Sequence, residues 1–325
     1  MYERDGIIDG RLEYATDLFD ASTIRRMIDH FQTVLSAIVT NPDTPIDLLP
    51  LLTQTENRQI VVEWNDTVAD YPSDKTIHQL FEEQAERTPD SIALIFQDDH
   101  LTYNQLNQRT NRLAHYLIKM GVGPDVFVGI YMERSIEMVI GLLGILKAGG
   151  IYVPLDPINP RERIIQAMED VKIKVVLTLQ NRLSLAMGKT VTLDLETDWH
   201  LIQKESSQIP NVSLPADAAA YLIFTSGSTG QPKGILGYHR GVVNYLTYLV
   251  NTYNISESDV VLQLPPLNFD ASIRDLVGPL TAGAKVVVVN QDVIKNPPAL
   301  TRKINEHRVT CLLSAVPSVI PINSV

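Results

Sequence analysis

Apolar residues recur along the chain at two spacings, one typical of amphipathic helices and the other of buried strands. From residue 76 onward, helical periods alternate with short runs that are apolar almost throughout. The pattern predicts helices at 76–87, 104–119, 136–147, 161–171, 241–253, 272–281 and 298–307, and strands at 92–96, 127–132, 152–155, 175–178, 220–224, 260–264, 285–289 and 310–313. This alternation predicts an α/β fold of layered, largely parallel sheets with flanking helices.

The first 75 residues have a different pattern. Residues 11–15 alternate polar and apolar side chains, which predicts a strand. A helix with a broad apolar face follows, with Asp20 and Ser22 as capping residues and Asn41-Pro42 as its end. Because such a helix is not stable alone, we expect it to pack on residues that precede this chain. Residues 42–72 combine turns, a short amphipathic piece at 53–64 and a polar stretch, which is typical of an inter-domain linker.

Composition narrows the functional classes. The 325 residues include 27 lysines and arginines against 38 acidic residues, a net charge of -11, and they contain no basic block. These features argue against a nucleic-acid or anionic-membrane surface. We find no signal peptide and no apolar stretch of membrane-spanning length. The single cysteine, Cys311, cannot form an internal disulfide and fits a reducing cytoplasm, and the scattered histidines suggest no protein-built metal site.

Residues 225–234, TSGSTGQPKG, follow a predicted buried strand and combine the groups that bind phosphate. Glycines let backbone N–H groups turn towards an anion, hydroxyls donate hydrogen bonds, and lysine adds a positive charge. The candidate residues are Thr225, Ser226, Gly227, Ser228, Thr229, Gly230, Lys233 and Gly234. The spacing is neither that of a Walker A loop nor that of a nucleophile elbow. The apolar run at 235–238 predicts strand–loop–strand, although on composition alone an ordinary Gly/Ser/Thr turn is the simpler interpretation.

The order of residues in this loop, within AAYLIFTSGSTGQPKG at 219–234, resembles the signature loop of the adenylate-forming, AMP-binding superfamily. Three further segments resemble core motifs of adenylation domains and occur in the family's order: LTYNQLN at 101–107, LKAGGIYVPLD at 146–156 and NFDAS at 268–272. Residues 11–31 and 50–67 are similar to the end of a condensation domain and its linker. Together these segments resemble a nonribosomal peptide synthetase. The resemblance implies a condensation-domain tail at 1–49, a linker at 50–75 and the N-terminal part of an adenylation domain at 76–325.

The resemblance implies a reaction in which an amino-acid carboxylate attacks the α-phosphate of ATP, giving aminoacyl-AMP and pyrophosphate. The loop 225–234 would hold the β and γ phosphates, and Mg²⁺ would arrive with ATP. In the family, the aspartate that Asp270 matches binds the amino group of the substrate. Phe269, Ala271, Arg274 and Leu313 would line the pocket around it. The activated amino acid would then pass to a phosphopantetheine thiol on a carrier domain outside this chain.

Two of these assignments have alternatives. Asp270 also fits a helix N-cap, a role that is compatible with amine binding. The string FDAS occurs a second time at 19–22, where we interpret it as helix capping only. Arg274 either pairs with a polar or acidic substrate side chain or points to solvent.

The resemblance also implies partners and absent parts. The expected partners are the carrier and condensation domains of the same synthetase, and some adenylation domains also bind a small MbtH-like protein. The family's adenine- and ribose-binding motifs and its catalytic lysine are not in this sequence, so we expect no catalytic residue here and an inactive isolated fragment. Two other hypotheses are a ligase for fatty or aryl acids, against which Asp270 and the condensation tail argue, and a non-catalytic remnant.

Overall fold

The computed structural model describes residues 2–180, 190–225 and 233–314. The chain divides into two compact units, Met1–Asp70 and Tyr71–Val325. The division falls within the predicted linker, while the boundaries at 49/50 and 75/76 stay predictions. In the part of the chain that the structure describes, no helix has the length and apolar character needed to cross a membrane.

The first unit begins with a hairpin of strands β1 (Tyr2–Arg4) and β2 (Ile7–Asp9), which pair antiparallel. Asp5 and Gly6 both have positive φ, 52° and 76°, as the two-residue turn of a tight hairpin requires. The prediction of a strand at 11–15 is therefore wrong, because the Asp-Gly turn places the pairing earlier and leaves 11–15 without a partner.

Helix α1 (Ala21–Thr40) follows Asp20, and a 3₁₀ turn covers Ile46–Leu48. Helix α2 (Gln54–Arg58) starts with a capping box, in which Thr53 and Glu56 satisfy each other's backbone N–H groups, and it continues into a π-helical turn at Gln59–Glu63. The Glu56 carboxylate also contacts Nε2 of His30 at 2.9 Å, and this contact connects α2 to α1. The predicted amphipathic piece at 53–64 is thus two helical segments.

The second unit contains two sheets that are largely parallel, among the described residues. A six-stranded sheet has the order β10-β9-β6-β5-β7-β8, and a four-stranded sheet has the order β11-β12-β3-β4. The antiparallel pairs are β9–β10 and β3–β4. The strands are β3 (Ile92–Phe96), β4 (Asp99–Thr102), β5 (Phe127–Tyr131), β6 (Ile151–Pro154), β7 (Val175–Thr178), β8 (Val191–Asp194), β9 (Ala219–Thr225), β10 (Lys233–Tyr238), β11 (Val260–Gln263) and β12 (Lys285–Val288).

Helices cover both sheets, which confirms the predicted fold class. They are α3 (Ile77–Arg87), α4 (Tyr103–Lys119), α5 (Ile136–Lys147), α6 (Arg161–Asp170), α7 (Trp199–Ile202), α8 (His239–Tyr253), α9 (Ala271–Thr281), α10 (Gln291–Ile294) and α11 (Pro297–His307). The predicted helices agree with the observed ones to within two residues at each end. The sequence pattern did not predict β4, β8, α7 and α10.

The strand predicted at 310–313 is wrong, since this segment makes only a single bridge, between Cys311 and Val261. The side chain of Thr310 replaces part of the ladder, because its Oγ1 accepts from the N–H of Val260 at 2.9 Å and donates to Asp259 at 2.8 Å. A side chain that uses these groups leaves fewer of them for backbone pairing.

Helix α5 is buried along almost its whole length, and it ends in a lysine whose side chain has no exposed surface. Nζ of Lys147 lies 3.0 Å from Glu82 on α3 and 2.6 Å from Oδ1 of Asn111 on α4. It also lies 5.4 Å from the ring centre of Phe81. This buried charge therefore links α5 to both α3 and α4.

Candidate functional site

The predicted phosphate loop connects β9 to β10, which pair antiparallel with Thr225 opposite Lys233. The two strands predicted on either side of the loop are therefore confirmed. Oγ1 of Thr225 donates to the backbone oxygen of Lys233 at 3.3 Å. Gly234 packs closely on Leu222, to whose side chain an added Cβ would come within 3.1 Å. Ser226, Gly227, Ser228, Thr229 and Gly230 lie outside the described residues.

Asp270 is the N-cap of α9, and its Oδ1 accepts from the N–H of Ala271 at 2.8 Å. The side chain is exposed, so capping the helix leaves room for a cationic partner at the same carboxylate. Capping of α9 by Asp270 is thus compatible with the hypothesis that this residue binds a substrate amine.

A cavity of about 590 Å³ opens between these two elements, a size typical of small-ligand sites. It brings together Thr225 from the six-stranded sheet with Phe269 and Asp270, which follow the end of β11 in the other sheet. Its remaining walls come from the end of β6, from one face of α6, and from strands β9 and β10. Among the predicted site residues that the structure describes, Lys233, Gly234, Ala271, Arg274 and Leu313 do not line it.

Tyr221 is a cavity residue that the sequence analysis missed. Its Cα pairs with Tyr152 on β6 and with Gly237 on β10, and its ring covers the glycine, where an added Cβ would overlap with it. The rings of Tyr221 and Tyr152 have centres 5.8 Å apart. Burial, and next the charge of Asp270, raise the pKa of Tyr221. Tyr221, Ile223 and Thr225 alternate along β9 and therefore lie on one face of the strand. This spacing was the signal in the sequence that could have identified Tyr221.

Arg274 makes side-chain contacts within the protein. Its Nε donates to Oδ1 of Asp275 at 2.8 Å, and its Nη2 donates to the hydroxyl of Ser314. Asp275 is fully buried, and burial raises the pKa of its carboxyl group, although the hydrogen bond from Arg274 opposes that shift. The charge of Arg274 is therefore engaged within the protein.

The segment around Cys311 is structural in this arrangement. Leu313 and Cys311 pack against a small cluster of buried side chains that includes Leu249, Ile255 and Val261. Burial, followed by the charges of Asp259 and Asp275, raises the pKa of the Cys311 thiol. A thiol that stays protonated at neutral pH is a poor nucleophile.

Arg134 is a second side chain near the site that no sequence motif indicated. It lies in the turn between β5 and α5, and its guanidinium reaches the end of β11 in the other sheet. Nη1 donates to the backbone oxygen of Gln263 at 3.1 Å and to the side-chain oxygen of the same residue, while Nη2 donates to the backbone oxygen of Leu264.

Comparisons with known proteins agree with this architecture. The family model described as "AMP-binding enzyme" matches residues 81–321, and the condensation-domain model matches residues 1–61. A linear gramicidin synthase of Brevibacillus parabrevis is 44% identical over 313 residues, which cover 96% of this chain and 6% of the relative. Tyrocidine synthase 3 of the same organism is 42% identical, over 95% of this chain and 5% of the relative.

Two solved structures are also similar. The nonribosomal peptide synthetase FmoA3 superposes with a TM-score of 0.79 at 30% identity, covering 90% of this chain and 31% of that one. The N-terminal subdomain of NpsA from Klebsiella oxytoca superposes with a TM-score of 0.66 at 30% identity, covering 74% and 61%.

The chain belongs to the AMP-binding enzyme family. More narrowly, it is an adenylation-domain segment of the nonribosomal peptide synthetase type, preceded by residues of a condensation domain, so the resemblance found in the sequence is confirmed. The chain spans only about one-twentieth of the length of the two Brevibacillus relatives.

Proposed function

We propose that this chain forms the nucleotide- and substrate-binding half of a site that activates an amino acid with ATP, giving aminoacyl-AMP and pyrophosphate. The observation that supports the proposal is the shared cavity, which both Thr225 and Asp270 line. The loop 225–234 would hold the β and γ phosphates through Thr225, Ser226, Gly227, Ser228, Thr229, Gly230, Lys233 and Gly234. Asp270 would pair with the ammonium group of the substrate, beside Phe269.

The chemistry explains why these groups are needed. A carboxylate must approach the α-phosphate of a polyanion, so the protein contributes mainly orientation and electrostatic stabilisation. Asp270 pairs with an ammonium and would leave its own charge uncompensated beside a substrate that lacks one, which favours amino acids over plain carboxylic acids. Ala271, Arg274 and Leu313 remain proposed contributors to the substrate pocket.

Two relatives support a nucleotide in this region. FmoA3 has been solved in an AMPPNP-bound form and in an alpha-methyl-L-serine-AMP-bound form. The NpsA subdomain has been solved with 3-hydroxybenzoyl-AMSN, whose acyl group has no amine, and this favours an aryl-acid ligase as the second candidate function.

Magnesium would enter with the nucleotide. Among the described residues, no group of three or more acidic, histidine or cysteine side chains is arranged to hold a metal ion. Transfer to a phosphopantetheine thiol, the carrier and condensation partners, an MbtH-like partner and a cytoplasmic location are further parts of this proposal.

The test is amino-acid-dependent exchange of pyrophosphate into ATP by the complete natural polypeptide that carries this chain. We expect Asp270→Ala to reduce kcat/KM for the amino acid by about 100-fold or more, since a charge-assisted contact is lost, with little change in the KM for ATP. Asp66→Ala, which changes an exposed aspartate before residue 70, is the matched control. Activation of an aryl acid that is insensitive to Asp270→Ala would favour the second candidate and contradict amino-acid activation.

A further inference from the structure

The side chain of Arg134 links the two sheets that contribute residues to the cavity. Arg134 follows β5, a central strand of the six-stranded sheet, which also contains β9 with Thr225 at its end. The guanidinium of Arg134 binds Gln263 and Leu264 at the carboxyl end of β11. The chain then runs from Leu264 directly to the cavity residues Asn268, Phe269 and Asp270. The contact therefore lies where the substrate-side wall leaves its sheet.

The contact is built into the core rather than formed at the surface. Gln263 is 1% exposed and Leu264 5% exposed, so their acceptor groups are withdrawn from water. The side chain of Gln263 is fixed in turn, because its Nε2 donates to the backbone oxygen of Pro265. A guanidinium suits this role, since it presents several N–H donors in a rigid plane.

The charge of Arg134 persists at neutral pH. Burial lowers its pKa to about 10, while the carboxylates of Asp156 and Asp275 oppose that shift. Asp156 lies in the cavity wall at the end of β6, and Asp275 lies on α9, the helix that Asp270 caps. The two carboxylates that favour the charged form of Arg134 thus belong to the end of β6 and to α9.

We propose that Arg134 is a positioning residue for substrate binding: it fixes the segment 263–270 relative to the six-stranded sheet and so sets where the Asp270 carboxylate lies in the cavity. The proposal rests on the proposed function, because positioning matters only if Asp270 binds a substrate. Arg134 itself does not line the cavity. Its effect should therefore fall on the amino-acid substrate and leave the nucleotide largely unaffected.

The experiment compares Arg134→Met and Arg134→Lys with the wild type in the complete natural polypeptide. Met removes every donor at similar length, and Lys keeps the charge but replaces the planar fork with a compact ammonium. We expect kcat/KM for the amino acid to fall by about 10- to 100-fold in Arg134→Met, as for other small misplacements of a binding group, and by less in Arg134→Lys. The KM for ATP should change by less than about twofold. Arg302→Met, at an exposed arginine on α11, is the control and should change neither constant.

Hydrogen exchange of the same proteins supplies a readout that does not depend on activity. We expect faster exchange within residues 263–271 in Arg134→Met, and unchanged exchange within 219–225. The positioning role is overturned if both KM values and the exchange of 263–271 stay at wild-type levels, or if protection falls throughout the second unit. A wild-type protein without amino-acid-dependent exchange of pyrophosphate would instead defeat the proposed function, and the hydrogen-exchange comparison would still decide the role of Arg134 in holding 263–271.

Discussion

Single residues shape the site through contacts across strands. The ring of Tyr221 lies over Gly237 on the neighbouring strand, and the same ring faces the cavity. An aromatic side chain over a cross-strand glycine fills the space that the missing side chain leaves. The position of the Tyr221 ring therefore depends on glycine at 237.

We predict that Gly237→Ala destabilises the protein by about 1–3 kcal/mol, because the new Cβ would overlap with the Tyr221 ring. In a Tyr221→Leu background the same substitution should cost clearly less, since the ring is gone. Chemical denaturation of the four proteins measures this coupling. Gly241→Ala is the control, as an added Cβ there meets nothing within 4 Å. If Gly237→Ala lowered the free energy of unfolding equally in both backgrounds, the contact between residue 237 and the Tyr221 ring would be contradicted.

At the scale of elements, local signals predicted most helices and strands correctly. Both copies of FDAS place an aspartate directly before a helix, α1 in one case and α9 in the other. Only Asp270 caps its helix with a side-chain hydrogen bond, whereas Asp20 makes no such bond and Ser22 lies within α1. Elements of four residues, such as β8 and α7, were missed because they are too short to show a period. Contacts such as that between Arg134 and Gln263, separated by 129 residues, leave no local pattern at all.

The buried lysine at the end of α5 gives a prediction at this scale. Glu82→Leu should destabilise the protein by about 3–5 kcal/mol, because it leaves the charge of Lys147 buried without its carboxylate. Adding Lys147→Met should recover much of that loss. The surface pair of Lys119 and Glu205 is the comparison, and Lys119→Met should cost at most about 1 kcal/mol.

Denaturant unfolding at pH 7 measures these differences. Burial lowers the pKa of Lys147 to about 8 while Glu82 opposes that shift, so the lysine is still mostly protonated under these conditions. A double variant no more stable than Glu82→Leu alone would show that Lys147 does not require its carboxylate.

At the scale of the whole second unit, a pair of buried histidines predicts sensitivity to acid. The rings of His78 on α3 and His239 on α8 have centres 5.5 Å apart, and Nδ1 of His239 accepts from the N–H of Ile77 at 3.1 Å. Burial, followed by the charges of His239 and Lys147, lowers the pKa of His78 to about 3. Burial alone lowers the pKa of His239 to about 4.

The sign of the pH dependence follows from these directions. Between the lowered folded pKa and the ordinary value of 6.5, the unfolded chain binds protons that the folded protein does not. The free energy of unfolding should therefore fall as the pH falls from 6.5 towards 4. We predict that His78→Gln loses about 2 kcal/mol less than the wild type between pH 7 and pH 5.

Urea unfolding at the two pH values tests this, with His100→Gln at an exposed position of β4 as the control that keeps the wild-type dependence. Identical pH dependence of the wild type and His78→Gln would show that the buried ring does not cause the acid sensitivity.

The four-stranded sheet joins distant parts of the chain, since β3 and β4 lie near the beginning of the second unit while β11 and β12 lie near the end of the described residues. Any attempt to change substrate choice by transplanting the stretch from β11 to α11 between related proteins cuts through this sheet. The recipient must then supply a β3 whose Leu94, Ile95 and Phe96 match the incoming β12, along with an arginine able to hold the grafted strand end. Recombination between synthetases is thus constrained by pairings that an alignment of the transplanted stretch alone would not reveal.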